Sequence, residues 1–322
     1  MSGASLLTHF ATVARRIDFS NQFATPSPQS GGLFICTLSS SIRRGHVCDY
    51  FRRPLEGDSI ACVKAIYKAA GGVILLGLIV LAALRTIPIH VYDGFESSNL
   101  SWSRWSRYRF SPGAVVSQQS VVRSGRSALA ITVHSGDRYE AASDDGAATE
   151  RAELMESWWL FSRIGRAYSY SFSLYLPKEL PQTSERLVIA QWKQLCEASR
   201  CRPDNPVLAI RCENGRLKLT RNNGHGNIVL YRGEEDVRGR WLDFRFVTTF
   251  DSTDKGSIDA TLDGHDLVHY RGPTVYPPSH GYPSHGLVYF KMGLYRDALR
   301  EAPWTIYVDE YRKDQCPPDG CN

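Results

Sequence analysis

Val207–Thr220 reads VLAIRCENGRLKLT, and the fold follows from how that stretch alternates. Arg216 to Thr220 switches between polar and apolar residues, the two-residue period of a half-buried strand, and Val207 to Cys212, apolar at first, takes up that period at Arg211 and Cys212. Asn214-Gly215 lies between them. A tight turn joining antiparallel strands needs positive φ at its centre, which these residues tolerate, so the stretch predicts a β-hairpin. Cys212 falls on the apolar side of its strand and is expected to be a buried thiol, whereas Arg211 takes the polar side.

The same pattern spreads outward in both directions. Ser127–Val133, Tyr168–Leu176, Leu187–Trp192, Trp241–Thr249, Ser257–Leu262 and Thr305–Tyr311 all read as short strands, and a second turn, Asp263-Gly264, follows one of them. Helical periodicity is nearly absent after Val91. Strands at this spacing predict an all-β protein folded as a two-sheet sandwich, in one domain over residues 88–315 with a short tail at 316–322.

Ahead of that domain the text changes. Residues 1–68, with Pro26, Pro28 and Ser/Gly runs, show no sustained period and predict little compact structure. Ala69–Leu84 (AAGGVILLGLIVLAAL) is uncharged and fenced by Lys68 and Arg85, so one short hydrophobic helix is expected over 69–85. Its sixteen residues are short for a membrane span of about 20 and long for a signal core of about 7 to 15; anchor and export signal both remain open. A natural start near Val63 would make Lys64 and Lys68 the basic end of an export signal. Basic residues precede the run and are scarce just after it, which orients the main domain outward, to a periplasmic or extracellular location.

The chain of 322 residues has 38 Lys/Arg and 33 Asp/Glu, a formal charge of +5. Residues 1–85 hold 9 basic and 4 acidic side chains, so the remainder balances at 29 and 29. The main domain is neutral overall, which removes the electrostatic reason to expect a nucleic acid partner. Cys196/Cys201 and Cys316/Cys321 are spaced to close short loops as disulfides, in keeping with export, although short spacings also suit metal sites.

Three segments carry chemistry. Tyr289-Phe290-Lys291-Met292-Gly293-Leu294-Tyr295 puts Tyr289, Lys291 and Tyr295 on one face and apolar residues on the other. Glu150-Arg151-Ala152-Glu153-Leu154 displays Arg151 and Glu153 together, and Val188–Lys193 displays Gln191 and Lys193. Any one of these could be an ordinary amphipathic strand, with an Arg-Glu pair as sufficient explanation of the second. Together, in this order, they resemble the active-site strands of the jelly-roll polysaccharide lyases, the group of alginate, glucuronan and heparin lyases. Alginate lyases show Arg-(Ser/Thr)-Glu-Leu, then Gln-(Ile/Val)-His, then Tyr-Phe-Lys-x-Gly-x-Tyr. Here these stand as Arg151 to Leu154, Gln191 to Lys193, and Tyr289 to Tyr295. Asp93-Gly94-Phe95-Glu96, Tyr270-Arg271-Gly272-Pro273 and Tyr307-Val308-Asp309 resemble the heparin-lyase branch, so that the likeness spans nearly all of residues 91–311.

The resemblance implies a concanavalin-like β-jelly-roll and cleavage of an acidic, uronic-acid-containing polysaccharide by β-elimination. The proton α to the uronate carboxylate is too weakly acidic to leave unless that charge is neutralised. The resemblance assigns neutralisation to Arg151 and Gln191 and proton transfer to Tyr295, with Lys291 shaping the field. A phenol with an ordinary pKa of about 10 is a poor base, so cations beside it are required. Lys193 stands where alginate lyases have His. It can assist neutralisation while Tyr295 makes both proton transfers, act as a base itself, or mark a site that binds without turnover.

Tyr289, Arg211 and His225 are further candidates for substrate contact, His225 in the glycine-rich loop Asn222–Asn227. His280 and His285, in a duplicated Pro-Ser-His-Gly phrase, are loop histidines near the same strand. No cofactor is required by the chemistry. Asp93, Glu96 and Asp309 are oxygen donors that could join the chain ends through a structural calcium ion, as in related sandwiches. The expected partner is the polymer, with a monomeric protein and a membrane only through 69–84. Two rivals stand beside the lyase: a glycan-binding module on the same fold, and a glycoside hydrolase. The hydrolase needs paired carboxylates, whereas Glu150 and Glu153 face opposite sides of their strand.

Overall fold

The computed structural model describes residue 72 and residues 88–106, 110–137, 149–184, 186–196, 201, 205–224, 226–298, 302–317 and 320–321. The chain divides into Met1–Tyr67, which lies outside the described residues, and Lys68–Asn322. The expected helix over 69–85 also lies outside them except for Gly72. Among the described residues no helix is long and apolar enough to cross a membrane.

Among the described residues sixteen strands follow in chain order: β1 (His90–Asp93), β2 (Trp105–Ser106), β3 (Val115–Gln118), β4 (Ala128–Val133), β5 (Thr149–Glu156), β6 (Ser162–Arg163), β7 (Arg166–Tyr175), β8 (Leu187–Gln194), β9 (Leu208–Glu213), β10 (Arg216–Asn222), β11 (Asn227–Arg232), β12 (Trp241–Phe250), β13 (Ser257–Leu262), β14 (His265–Arg271), β15 (Leu287–Asp297) and β16 (Trp304–Gln315). They form two antiparallel sheets. The first runs β14-β13-β12-β7-β16-β4-β3 with β1 beside β16; the second runs β11-β10-β9-β8-β15-β5-β2 with β6 beside β15. Neighbours far apart in sequence, such as β7 with β16 and β8 with β15, are the mark of a jelly-roll sandwich rather than a meander.

The hairpin read first is β9–β10, with Glu213 opposite Arg216 and φ of 53° at Asn214 and 77° at Gly215. Asp263 and Gly264 repeat that geometry between β13 and β14. Between the sheets the alternating apolar side chains interlock around aromatic rings. Trp192 lies 4.8 Å from both Phe246 and Phe290, and Phe172 lies 5.1 Å from Phe290, which ties β7 and β12 to β8 and β15. Each such ring contributes about 1.5–3 kcal/mol by leaving water. Cys212 is buried as expected, and burial pushes its thiol up to about 11. Cys196–Cys201 and Cys316–Cys321 are disulfides.

Several ladders shift register, and two of these shifts bear on the site and on the core between the sheets. In β8, Val188 pairs with Arg211 and Ala190 with Ile210, so one residue is extra and Ile189 and Ala190 both join the core. In β16 the register to β7 shifts between Asp309 and Arg312, with Glu310 at φ 54°, which turns Tyr311 and Lys313 inward. A bulge reverses which residues share a face from that point on.

Candidate active site

The three segments converge on the outer face of the second sheet. Across β5, β15 and β8, Arg151 lies opposite Tyr295 and Tyr295 opposite Val188; two rows on, past Gly293, Lys291 lies opposite Gln191, and beyond it Tyr289 opposite Lys193. Their neighbours Ala152, Leu154, Trp192, Phe290 and Met292 fill the core, which fixes the orientation of the polar set. Gly293, opposite Glu153, has φ 135°, and a side chain there would collide with the Ala152 carbonyl oxygen. The β5 backbone thus closes against Gly293, and the carboxylate of Glu153 lies between Lys291 and Arg151.

Glu153 ties the set together. Its Oε2 accepts from Lys291 Nζ at 2.7 Å and from Arg151 Nη1 at 3.3 Å, while Gln191 Nε2 donates to its Oε1. Glu153, Lys291, Gln191 and Arg151 are all buried. Burial would push the Glu153 carboxyl up, but the charges of Lys291 and Arg151 and the hydrogen bonds from Lys291 and Gln191 outweigh it and hold it below the usual carboxylate range. In a low-dielectric setting such pairing is strong, so the donors are fixed in place.

Tyr295 is partly exposed and sits among guanidinium groups. Arg186 Nη1 donates to its hydroxyl at 2.9 Å, and the Arg151 guanidinium lies 4.3 Å above its ring. Arg186 is held in turn by Asp297, with Nε 3.3 Å from Oδ1. Arg211, next across the sheet from Val188, donates Nε to Thr220 Oγ1 at 3.2 Å. Its pKa is lowered first by burial and then by Arg186, and the phenol of Tyr295 also lies within its field. The Arg211–Glu213 pairing is thus minor, since Glu213 is taken by Lys218 at 3.2 Å and by Arg232.

Of the expected residues, Arg151, Gln191, Lys291, Tyr295 and Arg211 are gathered here, with Lys193 on the same face at its end. Tyr289 is 7% exposed and stacks on Phe161 with ring centres 5.2 Å apart, which makes it a wall more than a contact surface. His225 lies outside the described residues. His280 packs against Gly224, and His285 is exposed in its loop.

Arg186 and the linking role of Glu153 escaped the sequence reading. Counting back from Gln191 by twos passes over Arg186, because the β8 bulge reverses the face at Ile189. Only a strand with two consecutive core residues, Ile189-Ala190, hints at it.

The three carboxylates proposed for calcium do not fit a shared ion. Asp93 accepts from Phe95 N at 3.0 Å and Trp105 Nε1 at 2.8 Å, Glu96 from Arg126 N at 3.0 Å, and Asp309 from Arg123 N at 3.0 Å. Each accepts N–H donors, and among the described residues no cluster of His, Cys, Asp or Glu could hold a metal ion.

A sequence model described as Polysaccharide lyase matches residues 95–312. No curated protein matches the chain. Among solved structures, an endo-β-1,4-glucuronan lyase from the fungus Trichoderma reesei is similar at 17% identity with a TM-score of 0.55, over 70% of this chain and 95% of that one. A marine alginate lyase from Aplysia kurodai is similar at 13% identity with a TM-score of 0.45, over 71% and 98%. At 17% identity the likeness to the glucuronan lyase concerns the fold alone.

Proposed function

The chain belongs to the polysaccharide lyase family, and on that premise we propose that it cleaves a uronic-acid-containing polysaccharide by β-elimination at Tyr295. The observation that carries this reading is the Tyr295 hydroxyl at 2.9 Å from Arg186 with Arg151 above the ring. A phenol oxygen that is to carry negative charge needs positive donors already in place, because their reorganisation would otherwise add to the barrier.

The charge balance of the face suits a polyanion. Around Tyr295 and Glu153, the cations Arg151, Arg186, Lys193, Arg211 and Lys291 outnumber the carboxylates Glu153 and Asp297, while Glu213 at the edge is matched by Lys218 and Arg232. Arg151 and Gln191, preset by Glu153, neutralise the uronate carboxylate. Loss of the α proton then leaves a charge that the oxygens of that group share. Tyr295 takes the proton as phenolate and returns it to the departing glycosidic oxygen, so no net proton is consumed in forming the unsaturated end. Lys193 and Arg211 supply field at the two ends of this arrangement. The carboxylates that a hydrolase would need are engaged elsewhere: Glu153 by three donors, and Glu150 by Arg296 at 2.8 Å on the core side.

The two disulfides favour an oxidising compartment, consistent with an exported domain. Recovery of the protein only from the cytosolic fraction would contradict that part of the proposal. For the activity, the full chain is incubated with glucuronan, alginate, heparin and pectate while ultraviolet absorbance of the conjugated double bond is followed. At least one polymer is expected to give rising absorbance. Binding without absorbance would indicate a glycan-binding module, and new reducing ends without absorbance a hydrolase.

A further inference from the structure

Three of the seven tryptophans stand in solvent beside the C-terminal end of β5: Trp102 at 76% exposure, Trp158 at 72% and Trp159 at 46%. Single exposed apolar residues need no explanation, but a gathered set does. These are gathered by specific bonds. Ser157 Oγ donates to the Trp102 carbonyl at 2.8 Å, Ser157 N to the Arg104 carbonyl at 2.9 Å, and Trp159 Nε1 to the Ser103 carbonyl at 2.7 Å. Trp158 and Trp159 meet edge to face with ring centres 5.5 Å apart. The segment before β2 and the turn after β5 are thus strapped together, and the Trp159 ring is held in solvent by its own N–H. Such rings are preorganised, so a ligand that covers them loses little to ordering side chains.

Their position points to the ligand. β5 carries Arg151 and Glu153 and runs directly into Trp158, five residues from Glu153, or about 17 Å of extended strand. That is the length of a few sugar residues. The interval is not bare: Phe161, just past the tryptophan turn, stacks on Tyr289, and Tyr289 lies opposite Lys193 at the end of the cationic face. A pyranose ring has an apolar C–H face and a polar rim. A flat indole whose donor is already used matches that face and asks nothing of the rim.

We propose that Trp158 and Trp159, with Trp102 beside them, form a remote subsite that stacks sugar rings of the same acidic polysaccharide whose scissile linkage lies at Tyr295. This rests on the lyase reading for the identity of the polymer. Binding energy realised away from the reacting bond favours long chains over short ones, because only a long chain reaches both places at once.

The test uses the full chain, a Trp158→Ala/Trp159→Ala variant, and a Trp158→Phe/Trp159→Phe variant that keeps aromatic faces. Two readouts are taken: retention in gels containing long-chain glucuronan or alginate, and lyase kinetics on those polymers and on their trisaccharides. The alanine pair is expected to weaken retention and raise the polymer KM about tenfold, with kcat and trisaccharide kcat/KM unchanged; the phenylalanine pair should recover most of the loss. Both variants lose the Trp159 bond to Ser103, a loss of about 1 kcal/mol, so a small fall in melting temperature is expected and the kinetics are read per folded molecule. Unchanged retention and KM would overturn the subsite. So would a variant that instead loses self-association in sedimentation, or loses binding to phosphatidylglycerol vesicles, while holding the polymer normally. Gel retention needs no turnover, which separates the two failures. Tryptophan-dependent retention without any lyase activity would sink the catalytic reading and keep the subsite; full activity with indifferent retention would do the reverse.

Discussion

Two carboxylates on β5, Glu153 and Glu156, are both buried and both paired with a lysine, yet they do different work. Glu156 points between the sheets, where its carboxylate accepts Tyr311 OH at 2.6 Å, Lys313 Nζ at 2.9 and 3.0 Å, and Phe290 N at 3.2 Å. Lys313 comes from the opposite sheet, donates also to the Leu160 carbonyl, and has its pKa lowered by burial more than Glu156 restores it. That cluster joins one sheet to the other. Glu153 draws its three partners from its own sheet, and all of them belong to the outward face that carries Tyr295. Burial and ion pairing alone therefore do not separate a structural clip from part of a reactive site; the face of the sheet does.

The contrast can be broken by substitution. Glu156→Ala leaves Lys313 buried without its counter-charge, a loss expected to cost about 3–5 kcal/mol. Urea denaturation should show it, while lyase turnover per folded molecule stays near wild type; a large loss of specific turnover would erase the distinction. Glu153→Gln should also reduce stability, but its signature is kinetic. Arg151, Gln191 and Lys291 lose their common anchor, and displacement of positioned groups by about 1 Å costs on the order of 100-fold in rate.

The same variant has a pH signature. Because the folded carboxyl of Glu153 is depressed, its stabilisation is fully present above the unfolded value of about 4.3 and is lost as pH falls through the folded value. Glu153→Gln should thus flatten the acid side of the stability curve, as followed by circular dichroism at a series of pH values. The smallest effect is expected from Arg186→Ala. This partly exposed side chain touches the phenol, and its removal should lower kcat about tenfold, some 1.4 kcal/mol of barrier, with folding stability unchanged within about 0.5 kcal/mol. A mutant that lost stability and kept kcat would place Arg186 with the structural residues.

The contrast between these two glutamates was half legible in the sequence. Arg151 and Glu153 alternate cleanly with Ala152 and Leu154, and Asn214-Gly215 and Asp263-Gly264 carry the chemistry of their turns, so the sandwich and the outward set could be read locally. Glu156 and Lys313 could not be. Strict alternation from Ile306 and Val308 places Lys313 outside, and only the bulge at Glu310 turns it in. Arg186 was hidden by the corresponding irregularity in β8. Both are single-residue insertions relative to a partner strand, a property of the pair rather than of either sequence. The trio expected to hold calcium is a different matter. Proximity of chain ends in the fold does not reveal that Asp93, Glu96 and Asp309 have each been claimed by nearby N–H groups.

Whether Tyr295 moves the proton is decided by the Tyr295→Phe protein, because the change removes one oxygen and leaves the ring beneath Arg151. On a polymer that the wild-type chain depolymerises, the account predicts a loss of ultraviolet-detected turnover of about 10²–10⁴-fold, with melting temperature and gel retention on the polymer preserved. Full turnover by Tyr295→Phe would contradict it.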